Sequence, residues 1–234
     1  MGQNSIIWAL LEPIIGISLL SAIFMVAVPA PPLGEDFALF YATGLLPILI
    51  FQDITQKMNV AIRFSRPLLG FADIGLAEMA LSRAALAVLV QLVVMALILT
   101  GLTLVSRFPV GFDVSQLFSA IAAILVLSLG VGVLGCWLSI ELPVWSRVWA
   151  AILRPLILVS GVFFLVDEIP DPFRDWAMWN PLAHIISAFR AGVYPPYEGA
   201  LASLLYVSGF GVMAMAVGLY GLRVRKSQLI EGLI

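Results

Sequence analysis

The sequence predicts an all-α, polytopic membrane protein that forms one domain over residues 1–234 and crosses the bilayer with six helices. Long stretches of the chain carry no Asp, Glu, Lys or Arg. In addition, 62% of the residues are hydrophobic, 11% are charged and the mean hydropathy is +1.09. A soluble domain carries about 25% charged residues. The chain is also too short for a membrane domain joined to a soluble catalytic domain.

Each predicted helix corresponds to one apolar run. An α-helix needs about 20 apolar residues to cross the ~30 Å hydrocarbon core, and most runs reach that length. The six helices are expected at residues 6–28, 37–51, 76–104, 117–140, 149–166 and 201–222. The second run is short, so it needs Ile54 onward, or a thinner bilayer, to span. The fifth run contains one charge, Arg154, and the first has no small-residue cleavage site, which indicates a retained helix rather than a signal peptide.

The distribution of basic residues predicts the orientation of the chain. Most of them fall on one side of the predicted helices: Lys57, Arg63, Arg66, Arg83, Arg147, Arg154, Arg223, Arg225 and Lys226. The opposite side has Arg107, Arg174 and Arg190, together with most of the acidic residues. By the positive-inside rule, both termini are expected in the cytoplasm.

The sequence contains none of the common motifs for nucleotide binding, metal-dependent hydrolysis or a serine nucleophile, namely GxxxxGK[ST], HExxH and GxSxG. Cys136 and His184 are the single cysteine and the single histidine, and this argues against a metal site. Ser128, Gly132 and Cys136 instead form a small-residue stripe typical of helix packing. We therefore expect no cofactor in this chain and no enzymatic activity. If the chain takes part in ATP-driven transport, another chain must hydrolyse the ATP.

The connection over residues 56–74 is longer than a turn between two helices requires. Its apolar residues recur at helical spacing and its basic residues give it a positive side: Met58, Ala61 and Ile62, and Lys57, Arg63 and Arg66. One interpretation is a loop held at anionic lipid headgroups. The other, which the length favours, is a short helix that docks on a cytoplasmic partner.

The segment over residues 167–199 predicts a second helix that does not span. Asn180 and Pro181 are a helix cap and a first-turn proline, and Gly192 and Pro195 end the pattern. One face is apolar, whereas His184, Ser187 and Arg190 lie on the other. The helix is too short to cross the bilayer, so we expect a re-entrant or interfacial helix on the outer side.

Aromatic residues concentrate at both predicted membrane surfaces. Trp137, Trp145 and Trp149 lie at the cytoplasmic end of helices four and five, and Trp176, Trp179, Tyr194 and Tyr197 lie on the outer side. Two interpretations stay open, an interfacial belt and a stacking surface for sugar rings. Arg190 adds a cation that suits acidic sugars or phosphate. Glu12, just inside helix one, either reaches the interface or faces a cavity.

Two motifs resemble a known family. The sequence WALLEPI opens helix one at residues 8–14, and NPLAHIISAFRAGVYPPY occupies residues 180–197 before the last helix. Together with six helices and cytoplasmic termini, they resemble the ABC-2 permeases, most closely the branch that exports capsule polysaccharide, O-antigen or teichoic acid. Two departures stand out. Residues 1–5 alone stand where the family has a basic interfacial helix, and Ser187 stands where the family often has a carboxylate.

The resemblance implies a homodimeric pore in the bacterial inner membrane that pairs with two separate ATPase subunits, which hold ATP and magnesium. It also implies that residues 56–73 contain a coupling helix, that residues 167–197 form outer-side helices near the exit, and that helices one and five line the dimer seam. The expected function is ATP-driven export of a lipid-linked capsular or cell-surface polysaccharide. The alternatives are export of a drug or lipid, or a membrane-embedded enzyme or structural subunit. An enzyme should present clustered ionisable residues within its helices, which helices two, four and six lack.

Overall fold

A computed structural model describes residues 4–61, 76–106, 111–199 and 202–231, and within these ranges the regular structure is helical. The helices are α1 (Asn4–Ala27), α2 (Phe37–Asn59), α3 (Leu76–Val105), α4 (Val114–Glu141), α5 (Trp145–Val159), α6 (Phe173–Ala177), α7 (Pro181–Val193) and α8 (Leu204–Glu231). A short 3-10 turn follows α5 at Val166–Glu168. The expected all-α fold is therefore confirmed.

Five of these helices are long and apolar enough to cross a membrane. Within the described ranges, the candidate spans are Ile7–Ala27, Phe37–Asn59, Ala80–Val105, Val114–Glu141 and Leu204–Arg225. The second predicted run was short, but α2 is long enough to span because the helix continues past the end of the uncharged run to Asn59.

The fifth predicted helix differs from the observed one at both ends. The sequence placed it at residues 149–166, whereas α5 runs from Trp145 to Val159 and has 15 residues. Its length of about 22 Å is less than the thickness of the hydrocarbon core. The prediction of the C-terminal end was wrong because the chain leaves the helix at Ser160 and turns at Gly161, whose φ is +84°. Apolar composition alone does not reveal such a turn.

Helices α2 and α4 form the core. Most residues of α2 are buried, and α4 lies between α2 and α8 with small residues at both contacts. A Cβ atom on Gly130 would lie 1.9 Å from the carbonyl oxygen of Gly211 in α8, and one on Gly132 would lie 2.3 Å from the sulfur of Met58 in α2. The small-residue stripe is thus confirmed as a packing surface between helices of one chain.

The two ends of the helical bundle differ in charge. Lys57, Arg147 and Arg225 lie at one end, which we call the basic end, and Arg225 lies 3.8 Å from Glu141 there. The opposite, acidic end carries Asp36 and Asp113, which cap α2 and α4 by accepting hydrogen bonds from backbone amides of the first turn. For these described residues, the end of the bundle agrees with the side assigned from the sequence.

The predicted coupling segment is described only in part. Lys57 and Met58 belong to the last turn of α2 and not to a separate connection. Ile62, Arg63 and Arg66 lie outside the described residues. The docking helix therefore stays a prediction.

Candidate functional site

The polar face of α2 is the centre of the candidate site. Gln52, Asp53, Gln56 and Lys57 recur over its last two turns, at the basic end of the bundle. The Nζ atom of Lys57 lies 2.7 Å from Oδ2 of Asp53, an ion pair between residues one helical turn apart. The two charges of this ion pair cancel, so the polar face has no net charge there but stays strongly hydrophilic.

Two cavities border this face of α2. One, of about 240 Å³, lies towards α1 and α3 and is lined by Glu12 and Gln91. The other, of about 320 Å³, lies towards α5 and is lined by Ser146 and Trp149. Both are also lined by residues 53, 56 and 57 of α2, so the two cavities adjoin the same polar face of α2. We call this face and the cavities beside it the polar furrow; its residues are Glu12, Gln52, Asp53, Gln56, Lys57, Ser146 and Trp149.

Hydrogen bonds to α2 position the α5 wall of the polar furrow. The indole Nε1 of Trp149 donates to Oγ1 of Thr55 at 3.2 Å, and the amide of Gln52 donates to the carbonyl oxygen of Leu153 at 3.2 Å. The Trp149 ring also lies 6.0 Å from the Trp145 ring, at an interplanar angle of 26°. The furrow therefore has an aromatic wall whose orientation is fixed from α2.

The structure separates residues that the sequence grouped at the basic end. Trp149 lines the polar furrow and Trp145 stacks against it. Trp137 instead packs against α8, where a Cβ on Gly221 would lie 2.3 Å from its indole ring. Lys57 faces the furrow, whereas Met58 is fully buried against α4. Glu12 and Lys57, expected to serve different roles, border the same cavity.

Arg190 of α7 is fully buried, with 1% of its surface exposed. Its guanidinium donates to three backbone carbonyl oxygens in the turn after α5, those of Gly161 at 2.8 Å, Val162 at 2.9 Å and Phe164 at 2.9 Å. It also lies 4.2 Å from the centre of the Phe40 ring. An arginine guanidinium stays a cation at neutral pH, so these contacts satisfy a buried charge. Arg190 thus ties α7, α2 and the end of α5 together.

The other predicted exit residues divide into buried and exposed groups. The hydroxyl of Tyr197 donates to the Asp167 carboxylate, and burial together with this hydrogen bond raises the pKa of Tyr197. Tyr194 packs against Gly34 in the connection between α1 and α2. Trp176 and Trp179, by contrast, are 70% and 79% exposed. The predicted exit residues therefore comprise two tyrosines that contact other parts of the chain and two tryptophans that are exposed.

The backbone occupies both ring nitrogens of His184. Nδ1 accepts a hydrogen bond from the Ser203 amide at 3.2 Å, so Nε2 carries the proton and donates to the carbonyl oxygen of Met178 at 2.8 Å. His184 and Arg190 were assigned to a polar face of this helix, yet residues 182–193 are buried on all sides. The helix itself, capped by Asn180, is confirmed.

Sequence reasoning missed the polar face of α2. The predicted second helix ends at residue 51 and the predicted connection begins at residue 56, so Gln52, Asp53 and Gln56 were not recognised as one face. Polar residues at a spacing of three and four nevertheless mark one face of a helix. Gln91, buried in the middle of α3, was also missed. A hydrogen-bonding side chain within an apolar run was the available signal, because such a group needs a partner or water.

Comparison with known proteins gives the following relationships. The family model described as "ABC-2 type transporter" matches residues 76–194, just over half of the chain. The chain is 25% identical over 224 residues to the polysialic acid transport protein KpsM of Escherichia coli, covering 96% of this chain and 87% of the relative. It is 25% identical over 93 residues to two capsule polysaccharide export inner-membrane proteins, BexB of Haemophilus influenzae and CtrC of Neisseria meningitidis serogroup A, in each case covering 40% of this chain and 35% of the relative.

Substitution of Arg190 tests its structural role. A hydrogen bond to a charged group contributes about 1.5–3 kcal/mol, and lysine cannot reproduce the planar donor geometry. We therefore expect R190K and R190A both to lower the thermal unfolding temperature of the purified protein clearly. The matched control is R174K, because Arg174 forms an exposed ion pair with Asp171 at 2.9 Å, and such pairs contribute about 0–1 kcal/mol. Equal melting temperatures for R190K and R174K would contradict this role.

Proposed function

Since this chain belongs to the ABC-2 type transporter family, we propose that it is the membrane-spanning subunit of an ATP-driven exporter that moves a lipid-linked capsular or cell-surface polysaccharide across the bacterial inner membrane. The observation that carries this proposal is the polar furrow. An otherwise apolar bundle presents a hydrophilic surface beside stacked indole rings. Relatives that are named for polysaccharide transport give the cargo class.

The proposed orientation places the basic end and both termini in the cytoplasm, in accordance with the positive-inside rule. The five long helices then cross the membrane, and α5 crosses as the sixth element together with residues 160–166. Non-helical backbone at membrane depth is tolerated where protein covers it, and the Arg190 guanidinium covers three carbonyl groups of this turn. Helix α7 then lies re-entrant at the outer side.

Two copies of the chain are proposed to form the pore. In one copy the furrow is open along one side, so its polar residues need another surface to exclude lipid. Two copies that face each other across a two-fold axis would enclose the two furrows, and two-fold closure is the commonest oligomeric arrangement. Helices α1 and α5, which flank the furrow, would then form the seam.

Two separate ATPase subunits, which hold ATP and magnesium, are proposed to bind at the basic end. Ile62, Arg63 and Arg66 would supply the docking contacts. Lys57 lies immediately before them, at the end of the furrow, and Met58 anchors this turn of α2 in the core. Movement of the docked segment would therefore be transmitted directly to the polar face of α2.

For the cargo, we propose contacts at both ends of the path. Trp145 and Trp149, with Glu12 opposite, would receive the glycan at the cytoplasmic entrance, since aromatic faces bind the C–H groups of sugar rings. Trp137 would support this region from its place against α8. At the exit, Trp176 and Trp179 are accessible, whereas Arg190, Tyr194 and Tyr197 would hold the shape of the exit from within the protein.

The coupling proposal predicts the effect of charge reversal. Like charges that meet at an interface can cost several kcal/mol, so R63E/R66E should insert normally but fail to couple ATP hydrolysis to export. The measurements are co-purification of the ATPase with the tagged permease and the ATPase activity of the complex. The control is K226E, a reversal in the tail. An intact, fully active R63E/R66E complex would refute the docking site.

The substrate proposal predicts that W145A/W149A reduces surface polysaccharide at unchanged protein level, with polymer accumulating in the cytoplasm. A loss of about 1 kcal/mol per ring corresponds to about a fivefold effect for each substitution. W149F is the matched control, because it keeps the aromatic face and loses the hydrogen bond to Thr55. Normal surface polysaccharide in W145A/W149A cells would refute guidance by these rings, and an unchanged polysaccharide level in cells without the chain would refute polysaccharide as the cargo.

A further inference from the structure

Two ionisable residues of opposite charge are exposed on the helices that flank the polar furrow. Glu12 lies on α1 and Arg154 lies on α5, and both side chains are exposed in the single chain. Neither forms an ion pair within the part of the chain that the structure describes. A charge inside a membrane span is costly unless it meets water or a partner.

Glu12 and Arg154 both lie near the level of Gln52 of α2 in the bundle. Glu12 lines the same cavity as Gln52. On the other flank, the amide of Gln52 donates to the carbonyl oxygen of Leu153, the residue next to Arg154. A two-fold axis parallel to the helices leaves every residue at its own height. Residues at one height in a single chain therefore meet residues at that height in the second copy.

Each of the two charges is surrounded by exposed apolar side chains. On α1, Trp8 is 62% exposed and Ile15 is 54% exposed, one turn to either side of Glu12. On α5, Ile152 and Leu158 are exposed near Arg154. The two helices are therefore complementary, because each presents exposed apolar side chains around one charge and the two charges are opposite. Apolar contact between the helices would shield the ion pair from water.

We propose that Glu12 of one copy forms an ion pair with Arg154 of the second copy, and that this pair, made twice by the two-fold symmetry, closes both seams of the pore. The inference rests on the proposed homodimer. It adds an assembly role for Glu12 to the position at the cytoplasmic entrance proposed above. It also accounts for Arg154, a charge in an apolar run to which no role was assigned.

Charge reversal in separate chains tests this pairing. An E12R chain and an R154E chain should each lose dimerisation, by about tenfold or more, because both seams of each homodimer then join like charges. A mixture of the two chains should restore dimers close to the wild-type level, since both seams of the mixed dimer then join opposite charges. The measurement is native mass analysis of differently tagged chains in lipid nanodiscs.

The matched control is R147E, a reversal on the same face of α5 nearer the basic end, which should leave dimerisation unchanged. Wild-type dimerisation of both E12R and R154E would overturn the proposal. A loss in both that mixing does not restore would overturn it as well, provided the variants keep their helical circular dichroism. Dimerisation is measured without substrate or ATPase, so failure of the pairing is distinguishable from failure of the proposed export function.

Cross-linking provides a second measurement that does not depend on charge. In a C136A background, one tagged chain carries E12C and the other carries R154C, and a short thiol-reactive linker is added. We expect a product that contains both tags. Replacing R154C with L89C, on the exposed face of α3, should give none. Absence of the first product in a dimeric sample would contradict the pairing.

Discussion

A polar group in hydrocarbon needs a partner or water, and this constraint determines where the functional parts of the bundle lie. Arg190 satisfies this requirement with protein partners, because its guanidinium donates to three carbonyl groups in the turn after α5. The polar face of α2 meets it differently. Its side chains pair with each other or with α5 and also border open cavities, so water can reach them in the proposed pore. The first arrangement stabilises the scaffold, and the second would supply the proposed path.

Helix α5 connects these two regions. Arg190 holds its C-terminal turn at the acidic end, and Gln52 and Thr55 of α2 hold its other half through hydrogen bonds to Leu153 and Trp149. The aromatic wall of the furrow is therefore oriented by the core helix and by α7 together. A displacement of α2 at the basic end would reach Trp149 directly. In the proposed complex, this would connect a docked ATPase to the wall that contacts the glycan.

Sequence patterns predicted the long helices and the capped helix α7 well, because length, apolar composition and the Asn180–Pro181 signal are local properties. They failed where the answer depended on contacts between distant segments. The end of α5 depends on Arg190, which lies some thirty residues further along the chain. The separate positions of Trp137 and Trp149 depend on helix rotation, which an apolar run does not specify. The polar residues of α2 recur at helical spacing in the sequence, but the predicted second helix ends at residue 51, before them.

The central claim is that the polar face of α2 lines a water-filled path, and thiol accessibility tests it most directly. In a C136A background, Q52C and Q56C would be treated with a membrane-impermeant thiol reagent in vesicles that expose the basic end, with L89C on the outer face of α3 as the control. The thiolate is the reactive form, and apolar surroundings disfavour it, so a membrane-impermeant reagent labels positions that water reaches. The account predicts labelling at positions 52 and 56 and protection at position 89. Protection at positions 52 and 56 equal to that at position 89 would contradict it.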